Sequence, residues 1–270
     1  MGVVSRLRLQ RKTRRGNSPI QIEDERADFI TVASYNIHRG VGIDRRPDLE
    51  RIAEVIRELD ADVIGLQEID VQYFRKSKVD QVDYLSKATG FNVLLGPTRK
   101  REDGHYGNAV LTNHRIIQKR QINFSVPGRE PRGAIDVDLE IKEKRVRLIV
   151  AHLGLGIFER RFQVKRLRES FSSQCGHFEI MVGDINEWFP KGSPLRQLHD
   201  YFGRSPGRRT FPSCFPVLAL DRIWVRPADA LVEMDVHVSP LSRFASDHLP
   251  LKATIALSNG TAMKAANSEQ

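Results

Sequence analysis

Three features of the chain predict an α/β fold in which two packed, mainly antiparallel or mixed β-sheets are flanked by helices, a four-layer α/β sandwich. The first is a strand, helix and strand near the N-terminus, followed by a run of strands from Tyr106 onward. The second is the apolar run Phe178-Glu179-Ile180-Met181-Val182, which Gly183 ends and which reads as a short buried strand. The third is a recurrence of polar, chemistry-capable residues where strands stop: Asn36, Glu68, His152, Asp184, Asn186, Asp221, Asp247 and His248. With 270 residues, 40% of them hydrophobic, the chain can bury one substantial core.

Each element follows from its local pattern. Phe29 to Tyr35 reads as a strand that delivers Asn36 at its end. Leu49, Ile52, Ala53, Ile56 and Leu59 recur at helical spacing after Pro47, so a helix is expected over 47–59. Val63 to Leu66 is a second strand ending at Gln67-Glu68, and a parallel unit of this kind brings Asn36 and Glu68 to one edge. A helix over 79–88 closed by Gly90, a strand over 91–95 and a polar loop over 98–105 come next. Strands follow over 106–112, 116–124, 134–141 and 146–152, the last two joined as a hairpin around Glu143-Lys144. Arg160 to Ser172 has helical spacing, with bases on a face that reads as solvated. After the strand ending at Gly183 come a short helix over 194–201 and strands over 219–225, 232–238 and 249–256.

The charge of +9 is unevenly distributed. Residues 1–15 hold Arg6, Arg8, Arg11, Lys12, Arg14 and Arg15 with no acid. Removing those six from the 43 bases leaves the remainder near balance with its 34 acids. Residues 1–27 are therefore expected to be a basic, disordered arm, 28–257 a single domain, and 258–270 a loose polar tail. The arm lacks the apolar stretch of a secretory signal, and no run approaches a membrane span, so a cytoplasmic monomer is expected. The arm is suited to peripheral contact with an anionic membrane, or to nucleic acid. Cys175 and Cys214 show no metal or redox spacing, which favours a reducing compartment.

The tetrapeptide Gly183-Asp184-Ile185-Asn186 sits at a strand's carboxyl end, where α/β folds open their cleft. Asp184 can accept a proton or hold a water, and Asn186 can donate to developing negative charge. Alone, the tetrapeptide reads as a capped turn. Its company changes that reading.

Ser34-Tyr35-Asn36-Ile37-His38, Leu66-Gln67-Glu68 and Ala151-His152-Leu153 are followed by Gly183-Asp184-Ile185-Asn186, Leu220-Asp221-Arg222-Ile223 and Ser246-Asp247-His248-Leu249-Pro250. This ordered set of six resembles the endonuclease/exonuclease/phosphatase superfamily, whose fold is that of DNase I. The resemblance implies a metal-dependent hydrolase of phosphoric esters. It implies Glu68, Asn36 and Asp247 as oxygen donors to Mg²⁺ or Mn²⁺, and the chain has no Cys/His spacing for zinc. It further implies acid/base chemistry at His248 oriented by Asp221, a water-positioning Asp184, and phosphoryl contacts from Asn186 and His152. Arg132 and Asn108 are candidate substrate contacts, each with a plain turn or strand-start alternative. In the DNase branch the middle histidine has a carboxylate partner; here Glu102, Asp103 and Asn108 are the candidates for its counterpart.

The fold does not settle the ester. The Ala-His-Leu phrase resembles the DNase I, sphingomyelinase and inositol-phosphatase branches. Leu66-Gln67-Glu68-Ile69 lacks the lysine of abasic-site enzymes. His152-Leu153-Gly154-Leu155, with Glu159-Arg160-Arg161, is similar to small bacterial metal-dependent hydrolases of the superfamily. A near-neutral domain with 7% aromatic content favours a small or lipid-linked phosphoester over bulk DNA. A non-specific nuclease is the alternative, with Arg99, Lys100 and Arg101 as backbone contacts. An inactive binding module is a third reading, whose signature would be loss of Glu68 or His248; both are present.

Overall fold

The computed structural model describes residues 29–72, 80–102, 104–171 and 178–257. The expected basic arm, the C-terminal tail and Cys175 lie outside the described residues.

Eleven strands form two sheets among the described residues. The six-stranded sheet contains β1 (Phe29–Asn36), β2 (Val63–Gln72), β3 (Asn92–Arg101), β4 (Gly104–Thr112), β10 (Leu231–Val236) and β11 (Leu251–Ala256), in the order β10-β11-β1-β2-β4-β3. The five-stranded sheet is β5 (Arg115–Asn123), β6 (Gly133–Ile141), β7 (Lys144–His152), β8 (Phe178–Asp184) and β9 (Asp221–Arg226), in sequence order. In each sheet one pair is parallel, β1 with β2 and β7 with β8, and the other pairs are antiparallel. Both parallel pairs supply strand ends to the candidate site.

The sheets pack face to face over the apolar residues of alternating strand positions, among them Val32, Val110, Ile135, Val150, Val182 and Ile255. Gly65 shows how closely they approach: a Cβ there would stand 2.5 Å from Val182 Cγ2. On the outer face of the six-stranded sheet, α1 (Leu49–Leu59) and α2 (Gln81–Thr89) bury Ile52, Ile56, Leu59 and Leu85. On the outer face of the other sheet, α3 (Ile157–Glu169) and α4 (Ser193–Phe202) bury Val164, Leu167, Leu195 and Leu198. The result is the expected helix, sheet, sheet, helix layering.

Local chemistry sets the helix limits. Asp48 caps α1 by accepting from the Arg51 N–H, and Asp80 caps α2 through the Val82 N–H. Gly90 ends α2 at φ +76, in the left-handed region where glycine is unstrained.

Three expectations are corrected. Residues 98–105 are not a free polar loop: β3 continues to Arg101 and pairs with β4 as a hairpin. The second strand does not stop at Leu66 but runs to Gln72 through an irregularity between Leu66 and Ile69 that turns Glu68 to φ +62. α3 starts at Ile157, three residues early, and Arg160 is buried rather than solvated. A short helix, α5 (Ser242–Ala245), also lies ahead of the last motif.

Candidate active site

The carboxyl ends of β1, β7 and β8, the irregularity within β2, the start of β9 and the segment before β11 meet at one edge of the sandwich. The register places Asn36 beside Gln67, His152 beside Asp184, and Asp184 beside Asp221. One hydrogen bond then joins the two sheets, Asn36 Nδ2 donating to Asp184 Oδ2 at 3.1 Å, and a second, to Glu68 Oε1 at 3.3 Å, links β1 to β2. Asn36, Asp184, Asn186, Asp221, His152 and His248 are all buried.

Gly183 makes this meeting possible. Its φ is +146, and a Cβ would lie 1.8 Å from the Ala151 carbonyl oxygen. Only glycine lets β8 approach β7 there and bring Asp184 level with His152. Asn186 takes the left-handed conformation, φ +52, while its N–H is held by Asp184 Oδ1 at 2.9 Å. Its Nδ2 reaches the Leu153 carbonyl at 3.0 Å and His152 Nε2 at 3.2 Å. Both Asn186 and Glu68 hold non-glycine backbone at positive φ, a conformation that the surrounding site must sustain.

His248 Nδ1 stands 2.8 Å from Asp221 Oδ2, which also accepts from Thr210 Oγ1 at 2.5 Å. His248 Nε2 faces Asp184 Oδ2 at 3.6 Å, and the Phe211 ring packs 4.9 Å from the imidazole. Burial opposes a charge on His248, but the Asp221 and Asp184 carboxylates outweigh it and raise its pKa to about 10. Asp184 is pushed up to about 6, chiefly by burial, with His248 pulling the other way. At neutral pH the site therefore holds an imidazolium beside a carboxylate whose proton affinity is unusually high.

The second histidine differs. Arg132 Nη1 lies 2.6 Å from His152 Nδ1 and 3.0 Å from Nε2. Burial first, then the charges of Arg132 and His248, hold the His152 pKa well below the ordinary value. A guanidinium can only donate, so His152 must be neutral and keep a lone pair toward it. Of the candidates for its carboxylate counterpart, Asp103 lies outside the described residues; the carboxylate that the structure places beside His152 is Asp184, whose Oδ2 is 3.4 Å from Nε2, while Arg132 Nη2 is held in turn by Glu130 at 2.7 Å. Arg132 Nε is a buried donor without a partner among the described residues.

Asn108 is the expected contact that the structure directs elsewhere. Its Nδ2 donates to the Gly133 carbonyl at 2.9 Å and the Val150 carbonyl at 3.4 Å, tying β4 to the facing sheet. Those donors are occupied in the sandwich interior, not offered to a substrate.

Glu68 and Asp247 are the more accessible acids, their side chains 17% and 37% exposed. Asp247 is tied to the first motif through Ser246, whose Oγ donates to the Asn36 carbonyl at 2.7 Å. Asn36 Oδ1 accepts from the His38 N–H at 3.0 Å and retains a second lone pair. Among the described residues, no group of three or more His, Cys, Asp or Glu side chains converges into a cage. A hard cation with few protein oxygens and several waters, the habit of Mg²⁺, fits this donor set; a zinc cage does not.

Several residues at the site were not singled out by sequence. The Arg39 guanidinium lies over the Tyr106 ring, 5.1 Å from its centroid, with Nε 4.0 Å from Glu68 Oε2. Thr210, Phe211 and Glu130 have no local pattern to mark them. Behind the site, Arg160, which the sequence marked only as part of the Glu159-Arg160-Arg161 phrase, forms a buried ion pair with Glu187, 3.3 Å from Nε to Oε2. For Glu187, adjacency to the Asn186 motif was the available signal.

The model of the Endonuclease/Exonuclease/phosphatase family matches residues 33–248. The chain is 31% identical over 243 residues to the uncharacterised protein YbhP of Escherichia coli K12, covering 84% of this chain and 96% of that one. Its fold is similar to an endonuclease/exonuclease/phosphatase structure from Beutenbergia cavernae, with a TM-score of 0.67 and 20% identity, over 86% of this chain and 72% of that one. It is also similar to the Bacteroides thetaiotaomicron mannosyl-6-phosphatase Bt3783, with a TM-score of 0.65 and 18% identity, over 83% and 98% of the two chains. With six motifs in order, a two-sheet sandwich that gathers them, and a match across most of its length, the chain belongs to the endonuclease/exonuclease/phosphatase family.

Proposed function

We propose that the protein is a divalent-metal-dependent phosphoesterase that hydrolyses a lipid-linked or small phosphoester by in-line attack of water. The observation that carries this reading is the unbroken chain of polar contacts Asp221–His248–Asp184–Asn36–Glu68, with His152, Asn186 and Arg132 alongside. Bases, acids and anion donors of the kinds this hydrolysis needs lie within one buried edge.

Glu68, Asn36 and Asp247 would hold the cation. When bound, it supplies charge neutralisation to a phosphate oxygen and to the departing oxygen. Asp184 orients the attacking water and takes its proton, a role suited to a carboxylate whose pKa is raised to about 6. His248, kept charged by Asp221, donates a proton or a hydrogen bond to oxygen that gains charge. Arg132 and neutral His152 hold the non-bridging oxygens, with Asn186 anchoring the imidazole through its amide, and Arg132 Nε, without a partner among the described residues, is a donor available for this. No side chain needs to form a covalent intermediate.

A non-specific endonuclease is the second reading, favoured by Arg99 and Lys100 on the β3 end of the hairpin. The test compares wild type with His248→Ala on supercoiled plasmid and on a phosphodiester panel, both with Mg²⁺. Loss of all turnover in the variant is expected. Plasmid nicking that exceeds turnover of every small or lipid ester moves the nuclease to first place, and activity that persists with a chelator present sinks the metal-dependent reading.

A further inference from the structure

We infer that the rim of the candidate site is a docking surface for an anionic phospholipid bilayer, from which the enzyme takes a lipid phosphoester. The substrate half rests on the phosphoesterase reading above; the docking half does not.

Large apolar side chains stand exposed on three segments that border the polar cluster. Leu155 and Phe158 follow His152, Trp188 and Phe189 follow Asn186, and Phe215 lies in the stretch between Phe211 and Asp221. Phe158 is 83% exposed, Phe215 74% and Trp188 55%. Topology puts these segments at one edge, because β7 and β8 run parallel and β9 starts where β8 ends. Phe162, one turn after Phe158, continues the exposed apolar stripe along α3.

Two of the segments are fastened together from beneath. Arg160 Nη1 donates to the Leu155 carbonyl at 2.5 Å, and its guanidinium pairs with Glu187, which also accepts the Phe189 N–H at 3.0 Å. The chain thus buries an ion pair to hold outward-facing hydrophobic loops in place. Folding alone gives no reason to present such a rim to water.

The charge around the rim selects the occupant. On α3, Arg161, Lys165 and Arg168 are exposed among the aromatic residues, and the Arg161 guanidinium lies 5.8 Å from the Phe158 ring centroid. Exposed Phe and Trp interleaved with bases are the composition of a surface that lies in a headgroup layer.

Trp188 provides the probe, because the other tryptophan, Trp224, is 1% exposed in the core. The full chain is mixed with phosphatidylglycerol/phosphatidylcholine vesicles and with phosphatidylcholine vesicles alone, and sedimentation and tryptophan emission are followed. Sedimentation with the anionic vesicles is expected, with a blue shift that brominated lipid quenches. Phe158→Ser and Phe189→Ser should each weaken vesicle binding roughly tenfold and leave turnover of bis(p-nitrophenyl) phosphate unchanged. Trp188→Phe should still sediment but lose the emission change. No sedimentation with anionic vesicles, or binding indifferent to both serine substitutions, overturns the docking face. Binding to duplex DNA but not to vesicles, weakened by the same substitutions, overturns it in favour of nucleic acid. Vesicle binding by a protein that hydrolyses no phosphoester leaves the docking surface standing and removes the substrate reading alone.

Discussion

Asp221 holds His248 Nδ1 at 2.8 Å, and the same carboxylate oxygen is fixed by Thr210, so the imidazole can neither turn nor readily lose its proton. The pair is buried at the start of β9 and just ahead of β11, two strands of different sheets. A histidine whose pKa lies near 10 stays charged across the neutral range.

The first prediction concerns pH. Turnover should rise as Asp184 loses its proton near pH 6 and fall as His248 loses its own near pH 10, leaving a broad plateau. For stability, a His pKa raised above its ordinary 6.5 contributes fully below that value, and the contribution is lost as pH rises through about 10. Asp221→Asn removes the main upward influence. The alkaline limb should then move toward neutral pH, with turnover lowered on the order of 10²-fold. Rate profiles of the two proteins would show it, and an unmoved limb would assign that limb to another group.

Arg132 is expected to keep His152 neutral as well as to bind the substrate. In Arg132→Gln the His152 pKa should rise toward the ordinary value, as one of its depressing charges is gone. Histidine NMR titration reads this directly, separately from any loss of turnover. A substrate contact alone would leave the titration unchanged.

Metal dependence turns on Glu68. Glu68→Ala should abolish Mg²⁺-stimulated turnover while preserving the fold, and a chelator should do the same to wild type. Circular dichroism and activity measured on the same sample distinguish loss of a ligand from loss of structure.

The Arg160–Glu187 pair is a stability determinant. Arg160→Met leaves the Glu187 carboxylate buried and unpaired, a change that costs ~3–5 kcal/mol in comparable buried pairs. Replacing both, by Met and Leu, should recover most of that loss in urea denaturation. Recovery by the double variant separates the cost of an orphaned charge from a cost of altered packing.

Gly183→Ala should be more severe than an ordinary core change. The new methyl meets the Ala151 carbonyl oxygen, backbone that cannot swing aside, at a φ of +146 that alanine avoids. Soluble yield and thermal midpoint should both fall. An alanine variant of wild-type stability would mean that β7 and β8 separate freely at this point.

The layered fold and the set of motif residues were legible in the chain alone, because periodicity and strand-end chemistry are local properties. Strand ends carrying Asn36, His152 and Asp184 could be read without knowing what they face, whereas Glu68 read as a strand end and lies inside β2. The pairing of those residues was a tertiary decision. Arg132 lies 20 residues from His152 and becomes its partner only through β6 and β7 running side by side. Arg160 read as one base of a solvated run because spacing does not reveal that Glu187 waits beneath the helix. Asn108 was open to a substrate-contact or a strand-start reading, and close sheet packing directs its amide nitrogen to backbone carbonyls. The exposed aromatic rim was likewise invisible in the sequence, where Phe158, Trp188 and Phe215 look like any core residue. Local pattern specifies which side chains reach an edge, but burial, protonation and partnership depend on atoms contributed by distant strands, and only the packed sandwich brings those together.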